Sequence, residues 1–352
     1  MSKAHSPITC KSTKYAVDWV AFDTAAQARG AHRLEVQDAT IPAQSVPPTV
    51  AGGRGRPHKY SSETVLNMLR LALVMRMSFR ETEGYVRALR DKHGYTWDVP
   101  DHSTLCRRMQ KLDVSLSPAV AGDRLVFLVD STGLKLSGPG EWRARHPKSG
   151  RAEVQPSSAV LPPLAEAPAE PLVAEKQPKR RQWRKAHLAV EYFSGQVVGA
   201  ELTAGTASDT AQLAQVLAGQ PLGGAFVCAD GAYHNEDAFR LVHDAGGKLL
   251  ARPPYNAATW PLTSEDPAIA WRNLQIDKRN ELGQKGWAHH SGYSKRSLVE
   301  THNARLKLYT GSALRCRHAD SQKVELLLRL QLINTYQALW TEAGGTHAVR
   351  IA

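Results

Sequence analysis

The sequence predicts an α/β chain: a mixed sheet with flanking helices, preceded by a small all-α, helix-turn-helix-like domain. Three observations predict it. Residues 54 to about 112 carry apolar residues at helical spacing with basic residues between them. From residue 124 that period gives way to short apolar runs bounded by turn residues. The elements then follow the order strand, strand, strand, helix, strand, helix, strand, helix. A chain of 352 residues with 42% hydrophobic content can bury a core, and its length suggests two or three domains.

In the first part, helices are expected over residues 62–75, 79–90 and 102–112. Ser78 with Glu81 has the spacing of a capping box, and Asp101 after Pro100 can cap the third helix. A short helix over residues 15–28 and a Pro-containing connector over 41–53 precede them. In the second part, residues 125–129 read as a buried strand ending in Asp130 and the turn-like Ser131-Thr132-Gly133. Residues 186–192 and 197–202 flank Ser194-Gly195 as a hairpin. A helix over 210–217 leads to a strand over 225–229 that ends in Asp230-Gly231. A helix over 235–244 stops at Gly246-Gly247, and a strand over 248–252 stops at Pro253-Pro254. Helices over 295–309 and 321–340 close the chain.

This order is that of a ribonuclease-H-like domain, in which the first and fourth strands lie parallel and adjacent, joined by a crossover helix. Their C-terminal ends, carrying Asp130 and Asp230, should therefore meet. The expected division is an N-terminal extension over 1–53, a helical domain over 54–118, a sheet-bearing domain over 119–342 and a tail over 343–352, the two domains being those to which the charge and carboxylate patterns below assign DNA binding and catalysis. A Pro/Ala-rich insertion at 152–180 interrupts the sheet-bearing domain. Its stretch from 155 to 178 holds six prolines and no aromatic residue, too little apolar surface to offset the entropy of ordering, and reads as a flexible segment.

The charge has a direction. Lysine and arginine number 45 against 33 acidic residues, a net charge of +12, which favours a polyanionic partner. The excess clusters: 12 basic and 6 acidic residues over 54–112, 6 and none over 176–187, 7 and 2 over 278–307. Cys10, Cys106, Cys228 and Cys316 lie far apart with no zinc-ligand spacing. Neither a signal peptide nor a span long enough for a bilayer is evident, so a cytoplasmic protein at the bacterial nucleoid is expected, with no membrane partner.

Phosphodiester cleavage needs an activated oxygen nucleophile and stabilisation of charge on the attacking and leaving oxygens, which two divalent ions about 3.5–4 Å apart supply. Magnesium prefers hard oxygen ligands, so the protein must gather carboxylates. Asp130 and Asp230 at neighbouring strand ends would be two, and Glu300 from a helix a third. Tyr293, Arg296, Glu300 and Lys307 are separated by two, three and six residues. At about 100° per residue the four share one helical stripe about 60° wide. An ordinary solvated face with a four-apart Arg296–Glu300 ion pair is the plainer alternative.

That pattern resembles the signature of DDE transposases of bacterial insertion sequences, in the insertion-sequence five group of the four/five superfamily. Leu128-Val129-Asp130-Ser131-Thr132-Gly133-Leu134-Lys135 is similar to the first-aspartate block, and Ala229-Asp230-Gly231-Ala232-Tyr233 to the second. Trp183-Arg184-Lys185-Ala186-His187-Leu188-Ala189-Val190 resembles the strand block between them. Gly55-Arg56-Pro57, Arg80-Glu81-Thr82-Glu83-Gly84 and Val99-Pro100-Asp101-His102-Ser103-Thr104-Leu105 resemble the helical region. The resemblance implies the ribonuclease-H-like fold and a catalytic, metal-binding triad of Asp130, Asp230 and Glu300. It also implies use of Mg2+, two ions per site with Mn2+ substituting, and action on double-stranded DNA: terminal inverted repeats and target, with a homodimer or larger assembly at synapsis. Arg296 and Lys307 would contact phosphates and Tyr293 would pack on the terminal nucleotide.

Further DNA contacts are expected from His102, Ser103, Thr104, Arg107, Arg108 and Lys111 on the third helix, placed as in a helix-turn-helix. A solvated basic helix is the alternative. Arg184 and Lys185 belong to the second basic cluster and are assigned to DNA with them. Arg54 and Arg56 resemble an AT-hook core, or serve as a basic tether. His289, His290 and His302 show no zinc spacing and read as solvated or DNA-facing imidazoles. Asp209 and Glu191 are accounted for by helix capping and a strand-face charge. A nuclease without strand transfer, and a captured DNA-binding regulator, are the alternative functions.

Overall fold

In the computed structural model, which describes residues 18–44, 58–122, 125–136, 183–260 and 266–345, the sheet grows outward from one long strand. β1 (Val126–Leu136) pairs antiparallel with β2 (Trp183–Glu191), which pairs antiparallel with β3 (Val197–Ala204). On its other side β1 pairs parallel with β4 (Phe226–Ala229), and β4 with β5 (Lys248–Ala251), giving the order β3-β2-β1-β4-β5. Residues 205–225, with the short helix α5 (Leu213–Val216), make the crossover. Here β3 and α5 nearly touch: a Cβ on Gly199 would lie 1.9 Å from the Val216 carbonyl oxygen. This is the mixed, ribonuclease-H-like arrangement that the order of elements predicts.

Strand alternation sorts the core into two faces. Phe127, Val129, Ala189 and Val227 face α5 and α6 (Glu236–Asp244). Val126, Leu128, Leu188, Val190 and Cys228 face α8 (Ser297–Thr310) and α9 (Ala319–Glu342) through Val299, Leu306, Leu326 and Leu330. A third cluster joins α2 (Ser62–Val74), α3 (Phe79–Lys92) and α4 (His102–Met109) to α9, through Val65, Leu71, Val86 and Leu105 against Val324 and Leu328. The helical region is thus anchored on the last helix of the sheet unit. α1 (Trp19–Gln44) packs on α2 and α9.

The local signals that held are caps. Ser78 and Glu81 form the capping box. The Asp101 side chain accepts from Thr104 N at 2.7 Å and from Ser103 Oγ at 2.6 Å, and these bonds hold its carboxyl down at about 2.

Several boundaries differ from expectation. β1 does not stop at Val129: its ladder to β2 continues from Asp130↔Leu188 to Lys135↔Trp183, so Ser131-Thr132-Gly133 is strand, not turn. A continuous ladder to β2 outweighs local turn chemistry. α1 runs well past residue 28, through the start of the expected connector. α4 ends at Met109, and the segment from Thr210 begins as a 3-10 turn. α7 (Pro267–His290), capped by Asp266 and broken at Gly283 (φ 70°), was not foreseen. Its buried face carries Arg272, Asn273, Gln275 and Arg279, which erase the apolar period. Nor was β6 (Ala313–Leu314), which pairs parallel with the far end of β1. Arg54, Arg56 and the insertion at 152–180 lie outside the described residues.

Candidate active site

Strand register brings the two aspartates together. Leu128 pairs with Cys228 across parallel β1 and β4, and Asp130 and Asp230 each stand two residues further along. Alternation turns Asp130 to the face of Leu128, where α8 packs. Asp230 lies just past the end of β4, where its side chain accepts from Ala232 N at 2.8 Å and fixes the turn.

α8 supplies the third carboxylate and more. Arg296, at its start, lies between two acids: Nη1 is 3.4 Å from Asp130 Oδ1 and Nη2 3.2 Å from Glu300 Oε1. Asn303, one turn beyond Glu300, donates its Nδ2–H to Asp130 Oδ2 at 3.0 Å. Burial pushes the Asp130 carboxyl above the usual carboxylate range; Arg296 opposes the shift, and the charges of Asp230 and Glu300 add to it. The Tyr293 phenol is raised by burial, with Arg296 and Arg252 opposing and Asp230 adding, and its ring packs 5.0 Å from that of Trp287. Tyr233, fully buried behind Asp230, is raised by burial and then by Asp209, Asp230 and Asp130.

Asp130, Asp230, Glu300, Arg296 and Tyr293 therefore share one electrostatic neighbourhood. The helical stripe that suggested it is only partly helical: Tyr293–Arg296 is a 3-10 turn begun by Gly292 (φ 73°), and the α-helix starts at Ser297. A 3-10 turn is frequent at an α-helix N-terminus. Lys307 lies two turns beyond Glu300, half-buried and without an ion-pair partner among the described residues.

The donor set suits a hard divalent cation, being carboxylate oxygen from the middle of β1, the end of β4 and a helix. Among the described residues no three His, Cys, Asp or Glu side chains converge tightly enough to form a ligand cluster by themselves. Instead, the guanidinium of Arg296 lies where Asp130 and Glu300 can share a cation, and its Nη1 is buried with no hydrogen-bond partner. The site fits positive charge bound by oxygen.

The remaining expected contacts are dispersed. Ser103, Arg107 and Lys111 are exposed on or just after α4, with Arg107 resting on Ser103. His102 is tied to Glu83 at 2.8 Å, Thr104 to Asp101, and the Arg108 guanidinium to Tyr60 O and Ser62 Oγ. Arg184 donates to Gln322 and Lys185 to Asp209.

Asp209 makes no side-chain cap: Lys185 Nζ lies 2.8 Å and His187 Nδ1 3.1 Å from its carboxylate. The fully buried His187 is held below its ordinary range by burial, with Asp209 opposing. Glu191 is not a plain strand-face charge either, since it accepts from Phe193 N, Ser194 N and Ser194 Oγ in the hairpin turn. His302 is neither solvated nor free for DNA. It is buried, with Nδ1 2.9 Å from Leu298 O and Nε2 2.7 Å from Gly195 O, and ties α8 to the hairpin. His289 and His290 are exposed. Sequence reasoning missed Asn303, whose one signal was its position a helical turn beyond Glu300.

Comparison with known families gives two matches, both described as a transposase DDE domain: one over residues 27–139, the other over residues 121–335. The second spans more than half of the chain and contains Asp130, Asp230 and Glu300. No described helix is long and apolar enough to cross a membrane. The chain belongs to the DDE transposases, metal-dependent enzymes that cleave DNA and transfer its strands.

Proposed function

We propose that this enzyme, a member of the insertion-sequence five group, binds the terminal inverted repeats of its element, cleaves a phosphodiester at each end and joins the released 3′ hydroxyl to target DNA. The observation that carries the reading is the gathering of Asp130, Asp230 and Glu300 around Arg296. The three carboxylates are assigned as ligands of two Mg2+ ions, with Mn2+ able to substitute. When bound, the ions supply neutralisation at the scissile phosphate and an activated oxygen nucleophile.

The chain's own groups do the rest. Arg296 and Lys307 hold phosphates, Tyr293 packs on the terminal nucleotide, and Ser103, Arg107 and Lys111 present an exposed basic edge to duplex DNA. Residues 54–118 act as the DNA-binding part and 119–342 as the catalytic part. Two ends joined in one event require a homodimer or larger assembly at synapsis, acting in the bacterial cytoplasm.

The test is a labelled terminal-repeat duplex incubated with the protein, with and without Mg2+, beside a supercoiled target. Cleaved ends and joined product together support the proposal. Cleavage without joining makes the protein a nuclease, and metal-independent binding without cleavage makes it a regulator.

A further inference from the structure

The loop that follows β5 leaves the sheet at the catalytic edge. Ala251 pairs with Ala229, so Arg252 stands level with Asp230, and a Cβ on Gly231 would lie 3.4 Å from Arg252 O. The Arg252 charge also acts on the Tyr293 phenol. Beyond it the loop over residues 253–260 crosses α7, and three buried polar residues of that helix hold its backbone.

Arg279 donates to Pro254 O at 2.6 Å, Tyr255 O at 3.0 Å and Ala257 O at 3.1 Å. Arg272 donates to Ala258 O at 3.1 Å, and its guanidinium lies 3.4 Å over the Trp260 ring. Asn273 accepts from Trp260 N at 3.0 Å and donates to Trp260 O at 2.8 Å. Arg272, Asn273 and Arg279 are all buried. Burying two guanidinium groups carries a desolvation cost, and here their hydrogen bonds go largely to fixing the carbonyls of a surface loop.

At the tip of this fixed loop the Tyr255 ring is 99% exposed. It adds nothing to the core, and a bare aromatic ring on a rigid support suggests a surface for something else. Exposed beside it are the polar Arg252, Asn256 and Thr259 and the small Pro254 and Ala258; among the described residues of the loop no other large hydrophobic side chain is exposed, so it offers no broad apolar patch of the kind a protein partner buries. Arg252, exposed just before the loop, can meet a backbone phosphate. A flat, exposed π-face beside such a cation suits a nucleobase, and stacking of that kind tolerates any sequence.

We propose that the 252–260 loop is a preformed stacking platform, with Tyr255 receiving a terminal or unpaired nucleobase of the DNA held at the Asp130–Asp230 edge. The assignment rests on the transposase reading and adds a contact surface to it. Tyr255 is a binding residue, remote from the metal-ligating carboxylates.

The test compares the parental protein with Tyr255→Ala and Tyr255→Phe on short duplexes carrying 2-aminopurine at the terminal position or at the centre. The parental protein and Tyr255→Phe should change the emission of the terminal base and leave the central base unaltered. Tyr255→Ala should lose that change and bind ends about tenfold more weakly. Its melting temperature should equal the parental one, because the ring is outside the core. A parental emission change and parental end affinity in Tyr255→Ala would overturn the platform while leaving the transposase reading intact. A parental protein that binds neither duplex would overturn the DNA reading itself, and the platform with it.

Discussion

Asn303 and Asp130 are joined by a hydrogen bond of 3.0 Å from helix to strand, and Arg296 approaches the other oxygen of the same carboxylate. The orientation of Asp130 is therefore set by the helix that carries Glu300. A carboxylate can only accept, so the amide must present its nitrogen. Among the described residues the Asn303 Oδ1 is left buried with no hydrogen-bond partner.

Asn303→Ala should therefore separate stability from chemistry. Removing a buried, unsatisfied acceptor relieves a cost of about 1–3 kcal/mol, which offsets the lost bond and packing, so the melting temperature should change little. Losing the group that orients a metal-ligating carboxylate should weaken Mn2+ binding or cleavage about 10–100-fold. Mn2+ titrations read by calorimetry and by cleavage check this. Parental affinity and rate would mean that the hydrogen bond only packs the helix.

On α8, positioning and metal ligation should be separable by salt. Lys307→Ala removes one phosphate contact, so the slope of log affinity against log salt should become shallower by about 0.9, and cleavage should fall. Glu300→Gln keeps the side chain's size, removes an anionic ligand, and should leave that slope unchanged while abolishing cleavage. End-binding curves at several salt concentrations decide it. An unchanged slope in Lys307→Ala would return that residue to an ordinary solvated helix face.

Arg329 is 1% exposed and donates to Gly311 O at 3.0 Å, to Ala313 O at 2.7 Å and to Glu325. Glu325 in turn accepts from Arg315 N and Cys316 N. Arg329→Met leaves a buried carboxylate without its cation and should cost about 3–5 kcal/mol. Urea denaturation measures it, and a loss below about 1 kcal/mol would show that the pair contributes little.

Burial, aided by Arg272, holds the His234 imidazole down at about 4, against an ordinary value of 6.5. The unfolded chain takes up this proton as pH falls through 6.5, whereas the native state does not until about 4. Stability from this group is complete above 6.5 and declines over that window. His187 and His302, lowered chiefly by burial, act in the same direction. The melting temperature should drop from about pH 7 to about pH 5, and His234→Gln should flatten part of the slope. A parental curve flat over that range would contradict the assignment.

Much of this was legible in the chain. The apolar run 126–129, the turn at Ser194-Gly195 and the caps at Ser78 and Asp101 specify their elements locally, because each depends on neighbours within a few residues. The element order specified the parallel pairing that aligns Asp130 with Asp230. What is written in distant residues was not legible. Whether Ser131-Thr132-Gly133 is turn or strand depends on β2, more than fifty positions away. α7 hides its helical period because its buried face binds a loop with arginine and asparagine instead of leucine.

By itself the sequence determined the topology, the two aspartates on neighbouring parallel strands and the tyrosine, arginine, glutamate and lysine spacing. All of these follow from periodicity and local spacing along one chain. Only the tertiary structure decided which partner each charge takes. The four-apart Arg296–Glu300 pair was readable from spacing, but the fold added Asp130 as a second partner of Arg296, assigned Asp209 to Lys185 and His187, used Arg108 on Tyr60 O, and set Asn303 against Asp130. The reason is physical: a hydrogen bond or ion pair depends on distances of about 3 Å, and those are fixed by how sheet and helices pack, which no spacing along the chain encodes.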